Sequence, residues 1–131
     1  MSNKKVGNDF EREFCEILSE NGFWVHNFAQ NKDGQPADVI AVKDGEPFLI
    51  DCKVCDSGIF QLSRIEENQI LAMQHWFDCR CYEAWFALKI DDNIIMIAYN
   101  QMMFVKVSQK TMTRQEMYAY GSKLEDWLND Y

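Results

Sequence analysis

The sequence predicts a mixed α/β domain in which helices cover a central sheet, and three observations carry that prediction. Apolar residues recur at helical spacing near the start and again in the middle of the chain. Between and after these segments lie short runs rich in Val, Ile, Phe and Ala. Two of the joints between such runs carry acidic turn residues, Asp44-Gly45 and Asp91-Asp92. With 131 residues, 47% of them hydrophobic, the chain can bury one core, so residues 1–131 are expected to form a single domain.

Residues 4–21 read as a helix, because Phe10, Phe14, Ile17 and Leu18 fall on one stripe and Gly22 can stop it. Residues 23–28 read as a short strand, and AQNKDGQP (29–36) as a turn-rich loop. Two strands over 38–43 and 47–54 are joined by KDGE into a hairpin. A second helix is expected over 64–78: Ser63 and Glu66 have the spacing of a capping box, and Ile70, Met73, Trp76 and Phe77 repeat at helical intervals. YEAWFALKI and NIIMIAY read as a second hairpin, followed by a short strand over 103–107 and a weak helix over 114–119.

No run of roughly 18 apolar residues is present, and the first residues lack a secretory pattern, so a cytoplasmic protein with no membrane span is expected. Five cysteines at irregular positions (15, 52, 55, 79, 81) suit a reducing compartment better than a disulfide framework. The formal net charge of -8 opposes long-range attraction to nucleic acid. Distribution matters more at contact: from Glu116 onward the chain holds four acids and one lysine, whereas Lys32, Lys43, Lys53 and Arg64 lie centrally.

Asp51 and Lys53 are two residues apart in a strand, so they leave the same face while Ile50, Cys52 and Val54 leave the other. The hairpin brings Asp38, at the head of the preceding strand, toward the register of Asp51. Two carboxylates with waters and a phosphate are the usual minimum for magnesium, and the Cys52 carbonyl could add an oxygen. Lys53 would then assist a nucleophile or stabilise charge developing on phosphorus. The plainer alternative is an exposed face with an incidental ion pair. A carboxylate among so many apolar residues is costly to bury without a cation, which argues against it.

The pattern Pro36-Ala37-Asp38 followed by Asp51-Cys52-Lys53, after the helical run Gly7-Asn8-Asp9-Phe10-Glu11-Arg12-Glu13-Phe14, resembles the PD-(D/E)XK nuclease superfamily. Within it, the sequence is most similar to Holliday junction resolvases of the archaeal, phage and RecU-like types. Helical geometry leaves Glu11 and Glu13 equivalent at the stripe margins, and the resemblance selects Glu11. It likewise selects Gln69 on the second helix over Asn68 and Gln74.

The resemblance implies a restriction-endonuclease-like fold and a magnesium-dependent DNA endonuclease for which manganese can substitute. Asp38, Asp51, the Cys52 carbonyl and Glu11 would serve the metal, Lys53 the nucleophile, and Gln69 the water or the phosphate. It also implies branched DNA as substrate and a homodimer, for which Trp76, Phe77, Trp85 and Phe86 are candidate interface aromatics. The competing readings are a repair- or restriction-type nuclease on duplex or flapped DNA, a non-catalytic binding module, and a zinc domain using Cys52/Cys55 and Cys79/Cys81. His26 and His75 have no catalytic partner in sequence and read as structural.

Overall fold

Turn chemistry and helix periodicity set the local structure. In a computed structural model describing residues 3–28, 35–79 and 82–131, the first helix, α1 (Asn3–Glu20), ends where Gly22 takes φ 88°. There the Phe23 N–H reaches back to the Leu18 carbonyl at 3.1 Å, closing the helix end. Strands β1 (Trp24–Asn27), β2 (Val39–Lys43) and β3 (Glu46–Cys55) follow as an antiparallel meander. Asp44 (φ 52°) and Gly45 (φ 81°) make the β2–β3 turn, which needs positive φ at both central positions, as the Asp-Gly pair foretold.

The chain then crosses through β4 (Ile59–Gln61), a 3₁₀ turn over Leu62–Arg64 and α2 (Glu67–Asp78) to β5 (Trp85–Ile90), which lies parallel to β3. A parallel neighbour requires such a crossover. β6 (Asn93–Ala98) returns as the hairpin partner of β5. The remainder comprises α3 (Tyr99–Lys106), β7 (Thr111–Thr113), α4 (Arg114–Tyr120), β8 (Ser122–Lys123) and α5 (Leu124–Leu128). The main sheet runs β1-β2-β3-β5-β6-β8, and β4 pairs with β7 apart from it.

Each face of the sheet has its own core. On one side α1 and α5 bury Phe10, Phe14 and Leu18 against Phe48, Ile50, Cys52 and Trp127. On the other, Met73 of α2, Met102 of α3 and Met117 of α4 pack on Phe60, Phe86 and Leu88. This is the mixed sheet between helices that the sequence predicted. Among the described residues no helix is long and apolar enough to cross a membrane.

Several expectations change. Residues 103–107 are not a strand: 103–106 continue α3 and Val107 caps it, with Met102 and Val105 buried and Phe104 exposed, a spacing of three that suits a helix. The capping box of α2 is Glu66 with Gln69, not Ser63 with Glu66, because the 3₁₀ turn occupies 62–64 and delays the helix start to Glu67. Phe86 is fully buried, so it cannot serve an interface. Trp85 is half-buried, with its ring 5.6 Å from that of Trp127. Trp76 packs partly into the core and Phe77 stays exposed. The strands β4, β7 and β8 and the helix α5 had no sequence-based expectation. Most of the predicted loop over 29–36, and Cys81, lie outside the described residues.

Candidate active site

The register of the β2–β3 hairpin builds the site. Val39 opposes Ile50, so Asp38 emerges just before β2, and its N–H donates to the Ile50 carbonyl at 3.2 Å. Beyond that point β3 has no β2 neighbour on this edge. The Cys52 N–H donates instead to Asp38 Oδ2 at 2.8 Å, so the carboxylate stands where a strand carbonyl would. Cys52 itself is buried against α1 with its thiol held protonated, pushed well above the ordinary range by burial. Only its main chain can serve the cleft.

Asp51 is fully buried on the opposite face. Its Oδ1 accepts from Gln69 Nε2 at 3.0 Å. Lys53 Nζ lies 3.0 Å from Oδ2 as an ion pair, yet Oδ2 receives no well-aligned hydrogen bond. The same ammonium is 3.5 Å from Gln69 Oε1, whose main partner is the Glu66 N–H at 3.1 Å. Gln69 thus closes the N-terminal cap of α2 and grips Asp51 with one amide.

Glu11, 7% exposed, comes in from α1 to within hydrogen-bonding reach of Asp38. The structure thereby separates residues that helical geometry left equivalent. Glu13 turns away and pairs with Lys89 at 2.6 Å. Gln74 bonds Asp78 on the outside of α2, and Asn68 reaches the Gln35 carbonyl at 3.4 Å on the rim of the site.

Glu11, Asp38, Cys52, Lys53 and Gln69 line a cleft of about 540 Å³ that also takes in Val6, Gly7, Asn8, Ser57 and Arg64, while the fully buried Asp51 is not part of its lining. In the sequence Arg64 reads only as a cation of the central segment. Its Nη1 is anchored to the Val54 carbonyl at 2.8 Å and its guanidinium lies over the Phe60 ring. A signal for that placement was absent from the sequence, because it depends on β4 and the 3₁₀ turn. His26 and His75 are exposed and do not line the cleft.

The electrostatics follow from the crowding. Burial raises Glu11 to about 7, the Asp38 carboxylate adds to the rise, and Lys53 opposes it. Burial raises Asp51 to about 8; Lys53 pulls it down and Asp38 pushes it up. Asp38 thus raises the proton affinity of both acids and Lys53 lowers it, so one ammonium acts on two buried carboxyl groups that share Asp38 as a neighbour. The all-oxygen donor set and the unaligned lone pair of Asp51 Oδ2 fit a hard divalent cation. The described side chains do not close on one point as a three-ligand cage. Waters and substrate oxygens would therefore complete the shell, as magnesium prefers.

The thiols do not fit a softer metal. Cys15 is pushed up to about 11 by burial and the nearby Glu11 and Asp38 carboxylates, and no group of cysteine and histidine ligands forms among the described residues.

The curated crossover junction endodeoxyribonuclease Hjc of Methanocaldococcus jannaschii is 26% identical over 93 residues, 71% of this chain and 65% of that protein. The match thus spans just under two thirds of the curated relative. The 1.6 Å structure of Archaeoglobus fulgidus Hjc, titled a Holliday junction resolvase from an archaeal hyperthermophile, shares the fold: TM-score 0.73 at 18% identity, covering 93% of this chain and 99% of that one. The family profile of archaeal Holliday junction resolvase (Hjc) matches residues 2–130, and the chain belongs to that family.

Proposed function

We propose that the protein is a divalent-cation-dependent endonuclease that resolves four-way DNA junctions by hydrolysing phosphodiester bonds. The carrying observation is the fully buried Asp51, paired at 3.0 Å with Lys53, which itself lines the cleft. A carboxylate is not buried beside two more without a task for a cation.

Asp38 and Asp51 would hold magnesium, or manganese in its place, with the Cys52 carbonyl as a further oxygen, waters and substrate oxygens in the rest of the shell, and Glu11 orienting one of those waters. When bound, the ion supplies Lewis-acid polarisation of the phosphate and a more acidic water. Lys53 presents an ammonium to the developing negative charge and to the attacking water. Gln69 orients Asp51 rather than touching phosphate, since both ends of its amide are engaged within the protein. A bound cation would also offset the negative field of the acidic chain at the one place where a phosphate must approach, with Arg64 at the rim adding to it.

Resolution of a junction needs two cuts, which a homodimer supplies. Leu71 and Phe77 on α2 and Trp24 on the edge strand β1 are apolar side chains at least half exposed, and they are the surface such a dimer would cover. Cys15, Cys52, Cys55 and Cys79 as free thiols suit the cytoplasm.

The test compares a synthetic four-way junction with linear duplex of matched sequence, each with magnesium and with chelator. Paired symmetric nicks in the junction alone, abolished by chelator, are the expected result. Equal cutting of both substrates would favour a repair- or restriction-type nuclease. Binding without cutting under any divalent cation would leave a non-catalytic module.

A further inference from the structure

Gly7 is the fifth residue of α1, inside the helix, where glycine is among the least favourable residues. The fold gives it no evident reason to be there. Its φ is not positive, unlike those of Gly22, Gly45 and Gly58. A Cβ at Gly7 would meet no atom of the described residues within 4 Å, whereas one at Gly58 would press on the Arg114 guanidinium at 3.0 Å and one at Gly121 would run into Ile95. What Gly7 does border is the cleft, one helical turn before Glu11 on the same face of α1.

We infer that Gly7 is a close-approach point for substrate, where the sugar–phosphate chain of one DNA strand lies directly on the bare backbone of α1 as its scissile phosphate enters beside Glu11 and Asp38. The inference rests on the nuclease reading above. A helix stripped of its side chain at one position lets a ligand backbone come to van der Waals distance, which any larger residue would prevent. Val6 and Asn8 flank the bare patch along the cleft wall, and Arg64 and Ser57 lie elsewhere on its lining, so the strand has polar partners as well as room. The role is steric and positional, and no proton or bond is handled by Gly7.

The experiment uses Gly7→Ala and Gly7→Leu, with Ser19→Ala on the exposed, distal part of the same helix as control. Gly7→Ala should raise the melting temperature by a few degrees, as expected for glycine replaced inside a helix with nothing in its way. It should leave manganese binding, read by paramagnetic resonance, unchanged. In single-turnover cleavage of a labelled four-way junction, the half-saturating protein concentration should rise roughly tenfold for alanine and further for leucine. Ser19→Ala should match the wild type in cleavage.

Unchanged half-saturation in both Gly7 variants overturns the inference while leaving the nuclease reading intact. A lower melting temperature for Gly7→Ala overturns it too, because the glycine would then be required by the fold. A wild-type protein that neither binds nor cuts the junction defeats the nuclease reading, and the inference with it.

Discussion

Gln69 Nε2 donates to Asp51 Oδ1 at 3.0 Å while Gln69 Oε1 accepts from the Glu66 N–H at 3.1 Å, so the first turn of α2 and the buried acid of β3 share one amide. Replacing Gln69 by Ala should lose the cap and leave Asp51 Oδ1 unpaired, lowering stability by about 1–3 kcal/mol. If Gln69 acts by orienting Asp51, kcat should fall while the half-saturating concentration changes little. Urea unfolding and single-turnover cleavage of the same variant check both. A variant of wild-type rate and reduced stability would reduce Gln69 to a helix cap.

Asp51→Asn keeps the shape of the side chain and removes its charge. Cleavage should fall by roughly 10²-fold or more while junction binding persists, as a gel shift without cutting would show. Wild-type cutting by this variant would place the metal site elsewhere.

The pH dependence has a definite sign. In the metal-free protein the folded values of Glu11 (about 7) and Asp51 (about 8) stand above those of ordinary carboxyls in the unfolded chain. Between the two ranges the folded state binds more protons than the unfolded one, so stability must fall as pH rises from about 5 to above 8. Thermal melts in chelator across that window should show the decline. Saturating magnesium or manganese should flatten it, with protons released on binding near neutrality, measurable by calorimetry in buffers of different ionisation heat.

Glu11 and Glu13 are two residues apart on α1 and meet opposite surroundings: the cleft acids in one case, Lys89 in the other. Glu11→Gln should depress cleavage strongly. Glu13→Gln should leave it within about twofold and cost no more than about 1 kcal/mol, the usual worth of a solvent-facing ion pair. The reverse pattern in a cleavage assay would reassign the helix glutamate.

Lys53 lowers the proton affinity of both buried acids. Lys53→Met should therefore shift the pH at which manganese binding reaches half its maximum upward, in addition to slowing cleavage by roughly 10²–10³-fold. A slowed enzyme with an unmoved metal-binding profile would confine Lys53 to the transition state.

How much of this was legible before folding varies by element. The stripe of α1, the Asp44-Gly45 turn and the paired exit of Asp51 and Lys53 are local properties: a helix period, a positive-φ turn and a two-residue strand repeat need no distant partner. The short apolar run over 103–107 reads as a strand and folds as the end of α3, because five residues do not distinguish a buried helix turn from a strand. β4, β7 and β8 are two or three residues long, and each exists only because another segment supplies its hydrogen bonds.

The site divides along the same line. Residue types and spacing by themselves determined that acids and an ammonium would share one hairpin face, and the family pattern named Glu11 and Gln69. Only the tertiary structure decided that Glu11 faces the cleft while Glu13 pairs with Lys89, and that Gln69 holds Asp51. It also decided that Asp38 caps the Cys52 N–H where β2 has ended. The physical reason is that proton affinity and orientation depend on what approaches from other elements. Burial of Asp51 requires α2 to be laid over the β3 face, and no stretch of sequence around position 51 contains that helix.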